Sequence, residues 1–199
     1  MKSIRAELRT IAEWIKPGSR VLDLGCGKGE LLSYLQENHN VTGYGIEIEQ
    51  ENIVASIDNN INVIQADIEQ GLIGFEDNSF DYVIMTQTLQ AIRNTDKILE
   101  EILRVGREGI ITFPNFGHWR SRLNILLGHM PVTKSLPNTW YNTPNIHLCT
   151  LKDFENLCKE RGFKILQRSI VDSQHRHRTF NTFLPNLLGE IALYRIQKK

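Results

Sequence analysis

The chain has 199 residues, with 23 Lys and Arg against 23 Asp and Glu and 41% hydrophobic residues. That balance excludes a disordered chain and suits one α/β domain over residues 1–199 with a sizeable core. No apolar run nears the length of a membrane span and no signal peptide is evident, so a cytoplasmic protein is expected. Three cysteines, Cys26, Cys149 and Cys158, form no CxxC pair, which points to reduced thiols rather than a disulfide framework.

Charge is unevenly spread. Residues 1–115 hold 10 Lys and Arg against 18 Asp and Glu; residues 116–199 hold 13 against 5, with five of the six histidines. Such asymmetry can mark a nucleic-acid or acidic-partner surface. An acidic cofactor-binding half, made so by carboxylates that grip hydroxyl groups, accounts for it more simply.

Residues 1–15 place Ile4, Leu8, Ile11, Ala12 and Ile15 at helical spacing, and Pro17-Gly18 ends the run. This helix is expected against the sheet edge, with no chemistry of its own. Val21, Leu22 and Leu24 then form a short strand buried on both faces. Gly25, Gly27 and Gly29 let the backbone bend and a ligand approach, before a helix whose buried stripe is Leu31, Leu32 and Leu35. A helix start aimed across a glycine bend favours an anionic group. Glu30 stands where the dinucleotide fingerprint needs its third glycine. The pattern Asp23-x-Gly25-x-Gly27-x-Gly29 resembles instead the first motif of class I S-adenosylmethionine-dependent methyltransferases, which implies S-adenosyl-L-methionine or S-adenosyl-L-homocysteine as the cofactor.

A second strand at 41–48 reaches Glu47 about 20 residues beyond the loop, where a doubly wound fold puts the acid that takes ribose hydroxyls. Glu49 and Glu51 open the next helix. A third strand at 61–68 carries Asp67, to which the methyltransferase resemblance gives the adenine amino group, with Ala66 and Ile68 lining the base pocket. Residues 80–85 form a fourth strand, and Gln87 follows at its carboxyl end, where it could touch cofactor or acceptor. A helix at 96–105 should bury Ile98, Leu99, Ile102 and Leu103 and expose Glu100, Glu101 and Arg104. A fifth strand at 109–115 exits at Pro114. Strand–helix alternation argues for a parallel sheet with right-handed crossovers. After a helix at 151–161, strands at 163–171 and 190–196 would form an antiparallel pair. The expected fold is a doubly wound, mostly parallel seven-stranded sheet of the class I methyltransferase (Rossmann-like) type, closed by that C-terminal pair.

Two segments exceed the minimal fold. Residues 116–149 carry Trp119, Arg120, Arg122, Trp140, Tyr141 and His147, broken by Pro131, Pro137 and Pro144. Such a stretch is expected as a lid or a partner-binding insertion, with Trp119, Arg120, Arg122, Trp140 and Tyr141 meeting substrate or partner. Residues 173–189 join the basic run 175–178 to Phe180, Phe183, Leu184, Leu187 and Leu188, as a solvated loop with a packed turn or as a protein-docking surface.

The runs Gln87-Thr-Leu-Gln-Ala91, Phe113-Pro-Asn-Phe-Gly-His-Trp-Arg120 and Thr143-Pro-Asn-Ile-His-Leu-Cys-Thr150 are similar to those of the methionine biosynthesis protein family MetW. The similarity extends over nearly the full chain. It implies a role in methionine synthesis beside a MetX-type homoserine O-acyltransferase, which carries the acyl-transfer chemistry while this chain supports or regulates it. Together with the methyltransferase motif it implies a cofactor set of Asp23, Gly25, Cys26, Gly27, Gly29, Glu47, Ile48, Asp67, Ile68 and Gln87.

No Gly-x-Ser-x-Gly elbow occurs, which argues against this chain being the acyltransferase itself. Methyl transfer needs only alignment and at most one base, for which His118, Tyr141 and His147 are the candidates. The alternative is therefore a methyltransferase acting on a small carboxylated substrate. A nucleic-acid acceptor is disfavoured, because the fourth strand lacks the Asn/Asp-Pro-Pro-aromatic exit by which many amino-methylating enzymes hold their acceptor.

Overall fold

The apolar runs are buried on both sides, as central parallel strands require. The computed structural model describes residues 6–171 and 184–199. In chain order the elements are α1 (Ala6–Trp14), β1 (Arg20–Leu24), α2 (Glu30–His39), β2 (Thr42–Glu47), α3 (Gln50–Asp58), β3 (Val63–Gln65) and β4 (Phe80–Thr86). These are followed by α4 (Thr95–Val105), β5 (Gly106–Pro114), α5 (Trp119–Leu126), α6 (Leu151–Glu160), β6 (Phe163–Val171), α7 (Pro185–Leu188) and β7 (Ile191–Lys198). The sheet order is β3-β2-β1-β4-β5-β7-β6, with β1 to β5 parallel and β7 antiparallel to both neighbours. The expected seven-stranded sheet with its C-terminal antiparallel pair is what the chain forms.

Side-chain alternation along each strand splits the core in two. Leu22, Leu24, Val83, Met85, Ile111 and Phe113 face α4 and α6. Val21, Ile84, Ile110 and Leu193 face α1 and α2. Period-two alternation puts Asp23 on the second face, beside Val21. Order reverses between β1 and β4, so the ligand crevice of such a sheet lies at their carboxyl ends.

Several expectations need adjustment. α1 lies over a sheet face rather than against the edge, because Leu8, Ile11, Ala12 and Ile15 pack with Leu31, Leu35 and Ile84. β3 is three residues long: Ile61 is drawn into the core and Asp67 caps the 3₁₀ turn Ile68–Gln70. Arg104 is half-buried rather than fully displayed to solvent. Its guanidinium grips both oxygens of Glu101 at 2.7 and 2.8 Å and reaches the Leu72 and Phe75 carbonyls, tying the turn before β4 to α4. Ile4, the run 175–178, Phe180 and Phe183 lie outside the described residues. Among the described residues, no helix is long and apolar enough to cross a membrane.

Candidate functional site

The site is built where β1 ends. Gly25 and Gly27 both have positive φ, at 69° and 55°, a region L side chains seldom enter. A Cβ on Gly25 would stand 2.7 Å from the Thr88 hydroxyl, so the loops after β1 and β4 meet there. A Cβ on Gly27 would meet nothing within 4 Å, so that stretch of backbone borders open space. Beneath it, Cys26 turns inward onto Gly45 and Ser56, and burial pushes its thiol up to about 12, which leaves it inert. Gly29, with φ 72°, starts α2 directly against Ile61.

Glu47 is brought against this bend. One carboxylate oxygen accepts the Gly27 N–H at 2.8 Å and the other accepts those of Ile48 and Glu49 at 2.8 and 3.0 Å. These bonds take three of its roughly four acceptor positions. Asp67 leaves β3 beside it, since Ala66 N–H donates to the Glu47 carbonyl. The Asp67 carboxylate accepts the Glu69 N–H at 2.9 Å. Ile48 is exposed, and Ile68 is half-buried.

Asp23 lies underneath, 1% exposed, and its Oδ1 has no hydrogen-bond partner. Burial, then the charge of Glu47, pushes its carboxyl up to about 7. A buried acceptor left unmatched destabilises the ligand-free protein and favours a ligand that brings a donor or a positive charge.

Gln87 is half-buried in the left-handed region, with φ 50°. Its side chain donates to both oxygens of Glu7 at 2.9 and 3.0 Å, and its N–H is shared by the carbonyl and hydroxyl of Thr112. Glu7, a buried acid on α1, is not among the residues that the sequence marks out. The available signal was its place on the apolar stripe, four residues before Ile11. From Gln87 a strap continues: its carbonyl accepts the Gln90 amide, and the Gln90 carbonyl accepts the N–H groups of Ile146 and His147 at 2.8 and 3.0 Å. The β4 exit therefore joins α1 to the insertion.

The three candidate bases stand apart from the glycine bend in their bonding. His118 is buried at the start of α5, where Nδ1 accepts the Arg120 N–H and Nε2 lies 3.9 Å from Glu190. Burial lowers its pKa, with Glu190 opposing and Arg120 adding to the shift. His147 is exposed, its Nε2 3.1 Å from the Arg93 carbonyl. Tyr141 and Trp140 are each 72% exposed and meet edge to face. Arg120 stacks over Trp119 at 5.3 Å and stands 3.9 Å from Glu190, while Arg122 donates to the Gly117 carbonyl at 2.6 Å.

Buried Asn115 explains why the segment after β5 is so constrained. Its amide donates to the carbonyls of Gly189 and Asn186 and its oxygen accepts the Gly117 N–H. The Asn186 side chain in turn accepts the Leu151 N–H at 3.1 Å. One polar joint thus holds the exit of β5, the start of α6 and the approach to β7. Asn115 and Gly117 fall in a run that the sequence marks out by its family likeness alone, with no sign of this joint, and Asn186 carries no signal at all.

A family model described as "Methionine biosynthesis protein MetW" matches residues 5–196. The "Bifunctional methionine biosynthesis protein MetXA/MetW" of Rhodopirellula baltica is 35% identical over 207 residues, covering 99% of this chain and 33% of that protein. The ubiquinone/menaquinone biosynthesis C-methyltransferase UbiE of Hydrogenovibrio crunogenus is 30% identical over 109 residues, 48% of this chain and 41% of its own length. The chain thus spans well under two thirds of either relative. Among solved structures, an S-adenosylmethionine dependent methyltransferase from Mesorhizobium loti superposes with a TM-score of 0.70 at 15% identity, over 97% of this chain and 98% of that one. A TehB-like SAM-dependent methyltransferase from Corynebacterium glutamicum gives 0.65 at 16%, over 99% and 89%. These likenesses give the methyltransferase fold. The match across residues 5–196 and the fused relative together place this chain in the MetW family of methionine biosynthesis proteins.

Proposed function

We propose that this chain binds S-adenosylmethionine or S-adenosylhomocysteine and acts beside a MetX-type homoserine O-acyltransferase, supporting or regulating it. The observation that carries the reading is the fused relative: 99% of this chain aligns within 33% of a protein named for both MetXA and MetW. Two functions that share one polypeptide in that organism are read as partners here. A cytoplasmic location fits the three free thiols.

The residues at the glycine bend fit such a cofactor. Bound, it would supply a sulfonium-activated methyl group, or, as the homocysteine form, the same adenosyl and amino-acid handles without one. The backbone at Gly27 borders free space and leaves room for a ligand. Asp23 offers its unmatched Oδ1 to a cationic or N–H donor. Glu47 and Asp67 offer carboxylates to hydroxyl and amino donors, with Ile48 and Ile68 as apolar flanks. Gly25, Cys26 and Gly29 shape the bend, and Gln87 holds the β4 loop against it.

Sensing is favoured over methyl transfer by the placement of the candidate bases, with His118 enclosed, His147 tied to a backbone carbonyl and Tyr141 largely exposed against Trp140. The docking face is assigned to the 116–149 insertion, where Trp119, Leu126, Leu127, Trp140 and Tyr141 are each exposed. Exposed aromatics of this kind supply the anchors of protein interfaces. The Gln87–Gln90 strap links the two regions. Regulation then requires that the ligand distinguish two states of the complex.

Co-purification with the acyltransferase tests the pairing, and its turnover with and without this chain and S-adenosylmethionine tests the regulation. A complex and an altered rate are expected, with the ligand effect abolished by Gly27→Asp. Absence of both complex and rate change overturns the reading. Transfer of labelled methyl into a carboxylated acceptor would replace it with the catalytic alternative.

A further inference from the structure

A cavity of about 330 Å³ lies between the 3₁₀ turn Leu89–Ala91, the beginnings of α4 and α6, and residues His147 and Cys149. It shares no residue with the cradle formed by Asp23, Gly27, Glu47 and Asp67. Its walls include Leu89, Phe113, Phe154 and Leu157. The first three are almost wholly buried, and Phe113 and Phe154 pack against each other at 5.0 Å, so this wall is rigid and apolar.

The polar lining is asymmetric. Asp96 is paired with Arg161, and Asp153 is committed to the capping box with Thr150. Both carboxylates are therefore engaged, and they also satisfy the dipoles of the helices they begin. Among the described residues that line the cavity, Arg93 alone carries a fixed positive charge. Its side chain is 77% exposed and its nearest acid, Glu69, stands 3.9 Å away, a contact worth little in water. An apolar wall with a lightly held guanidinium at its border is complementary to an amphiphilic anion.

We propose that this cavity is a binding site for a small monocarboxylate with an apolar body of about six carbons, the tail against Phe113, Phe154 and Leu157 and the carboxylate on Arg93. The volume is near the lower end of small-molecule pockets, which sets that modest size. Leu89 lines the cavity two residues beyond Gln87, so an occupant would press on the strap that joins the β4 exit to the insertion. The inference rests on the cavity and holds whether or not the glycine bend binds S-adenosylmethionine.

The test compares hexanoate, hexanol and hexylammonium binding to the full chain by calorimetry. Saturable hexanoate binding is expected, about tenfold tighter than hexanol as one charge-assisted hydrogen bond allows, with hexylammonium weaker than both. Arg93→Gln, a surface change that should leave melting unaltered, is expected to bring hexanoate to the level of hexanol. Leu157→Trp is expected to fill the cavity and remove both ligands. If that variant fails to fold, Arg93→Gln decides alone. Equal binding of the three probes, no saturable binding, or undiminished hexanoate affinity in Arg93→Gln overturns the proposal. So does one-for-one displacement of hexanoate by S-adenosylhomocysteine, which would move the ligand to the glycine bend.

Discussion

The glycine-loop rim and the 116–149 insertion both leave the carboxyl edge of the sheet, yet their unsatisfied chemistry is of opposite kinds. At the rim the deficit is electrostatic: Asp23 is enclosed with an unmatched oxygen beside a second carboxylate, Glu47. At the foot of the insertion the buried polar joint around Asn115 is complete, and in the insertion itself the deficit is hydrophobic, with Trp140 and Leu126 at 72% and 82% exposure. A carboxylate short of a donor calls for a cationic or hydroxylated small ligand. Exposed aromatics call for a protein surface. On the proposed reading, the first deficit belongs to the sensing end of the molecule and the second to its docking end.

The largest expected effect is at the rim. Gly27→Asp puts a third carboxylate beside Glu47 and Asp23 and projects it into the space the glycine leaves open. Asp tolerates the left-handed backbone at φ 55°, so the fold should survive. Affinity for S-adenosylhomocysteine, read by calorimetry, should fall by more than about 100-fold from lost space and like-charge repulsion. Unchanged binding in a variant with normal circular dichroism would relocate the pocket.

Asp23→Asn separates stability from ligand binding. The folded carboxyl is raised from 3.8 to about 7, so its stabilising contribution is complete below the unfolded value. That contribution is lost as pH rises through about 7. The loss is on the order of 4 kcal/mol, because the buried carboxylate must ionise beside Glu47 without a donor to its free oxygen. The Asn variant lacks this loss and should melt higher than the parent at pH 8, with the advantage vanishing near pH 4. A cationic ligand should bind the parent better as pH rises through about 7, and the variant should not follow. A parent whose stability does not fall over that range would show that Asp23 has a partner.

At the docking end, Trp140→Ala removes an exposed ring that touches Tyr141. The loss of an aromatic anchor is about 2 kcal/mol, or about 30-fold in Kd for the acyltransferase, with the chain's own Tm unchanged. Equal affinity would move the interface elsewhere on the insertion.

Legibility in the sequence followed the range of each interaction. The mostly parallel sheet was readable because most strands carry their own apolar run and most crossovers their own helix, the exception being β3 to β4, joined by only the 3₁₀ turn Ile68–Gln70. Glu47 was readable because a doubly wound fold fixes its spacing from the glycine bend. What escaped were contacts made across long separations by residues with no local signature. Asn115 reaches Gly189, 74 residues on, and Glu7 reaches Gln87 across 80. β3 is shorter than its pattern suggests because Ile61 and Asp67 keep a strand-like alternation although one serves the core and the other a cap. Arg104 reads as a surface cation, because only the fold brings the carbonyls of Leu72 and Phe75 under it.

The smallest expected effect probes the strap between the two ends. Gln87→Gly relieves a left-handed backbone at φ 50°, a gain of about 1 kcal/mol. It also deletes the two contacts to Glu7, a loss of about 1.5–3 kcal/mol for bonds to a charged group. The terms oppose, so the melting temperature should move only slightly. Communication should not be so forgiving, because the β4 loop would no longer be moored to α1 while Gln90 still holds the amides of Ile146 and His147. Hydrogen exchange reads this directly. In the parent, S-adenosylhomocysteine should slow exchange at those two amides; in Gln87→Gly the slowing should shrink while binding persists. Equal protection in both proteins would mean that the ends are coupled by another route, or are independent.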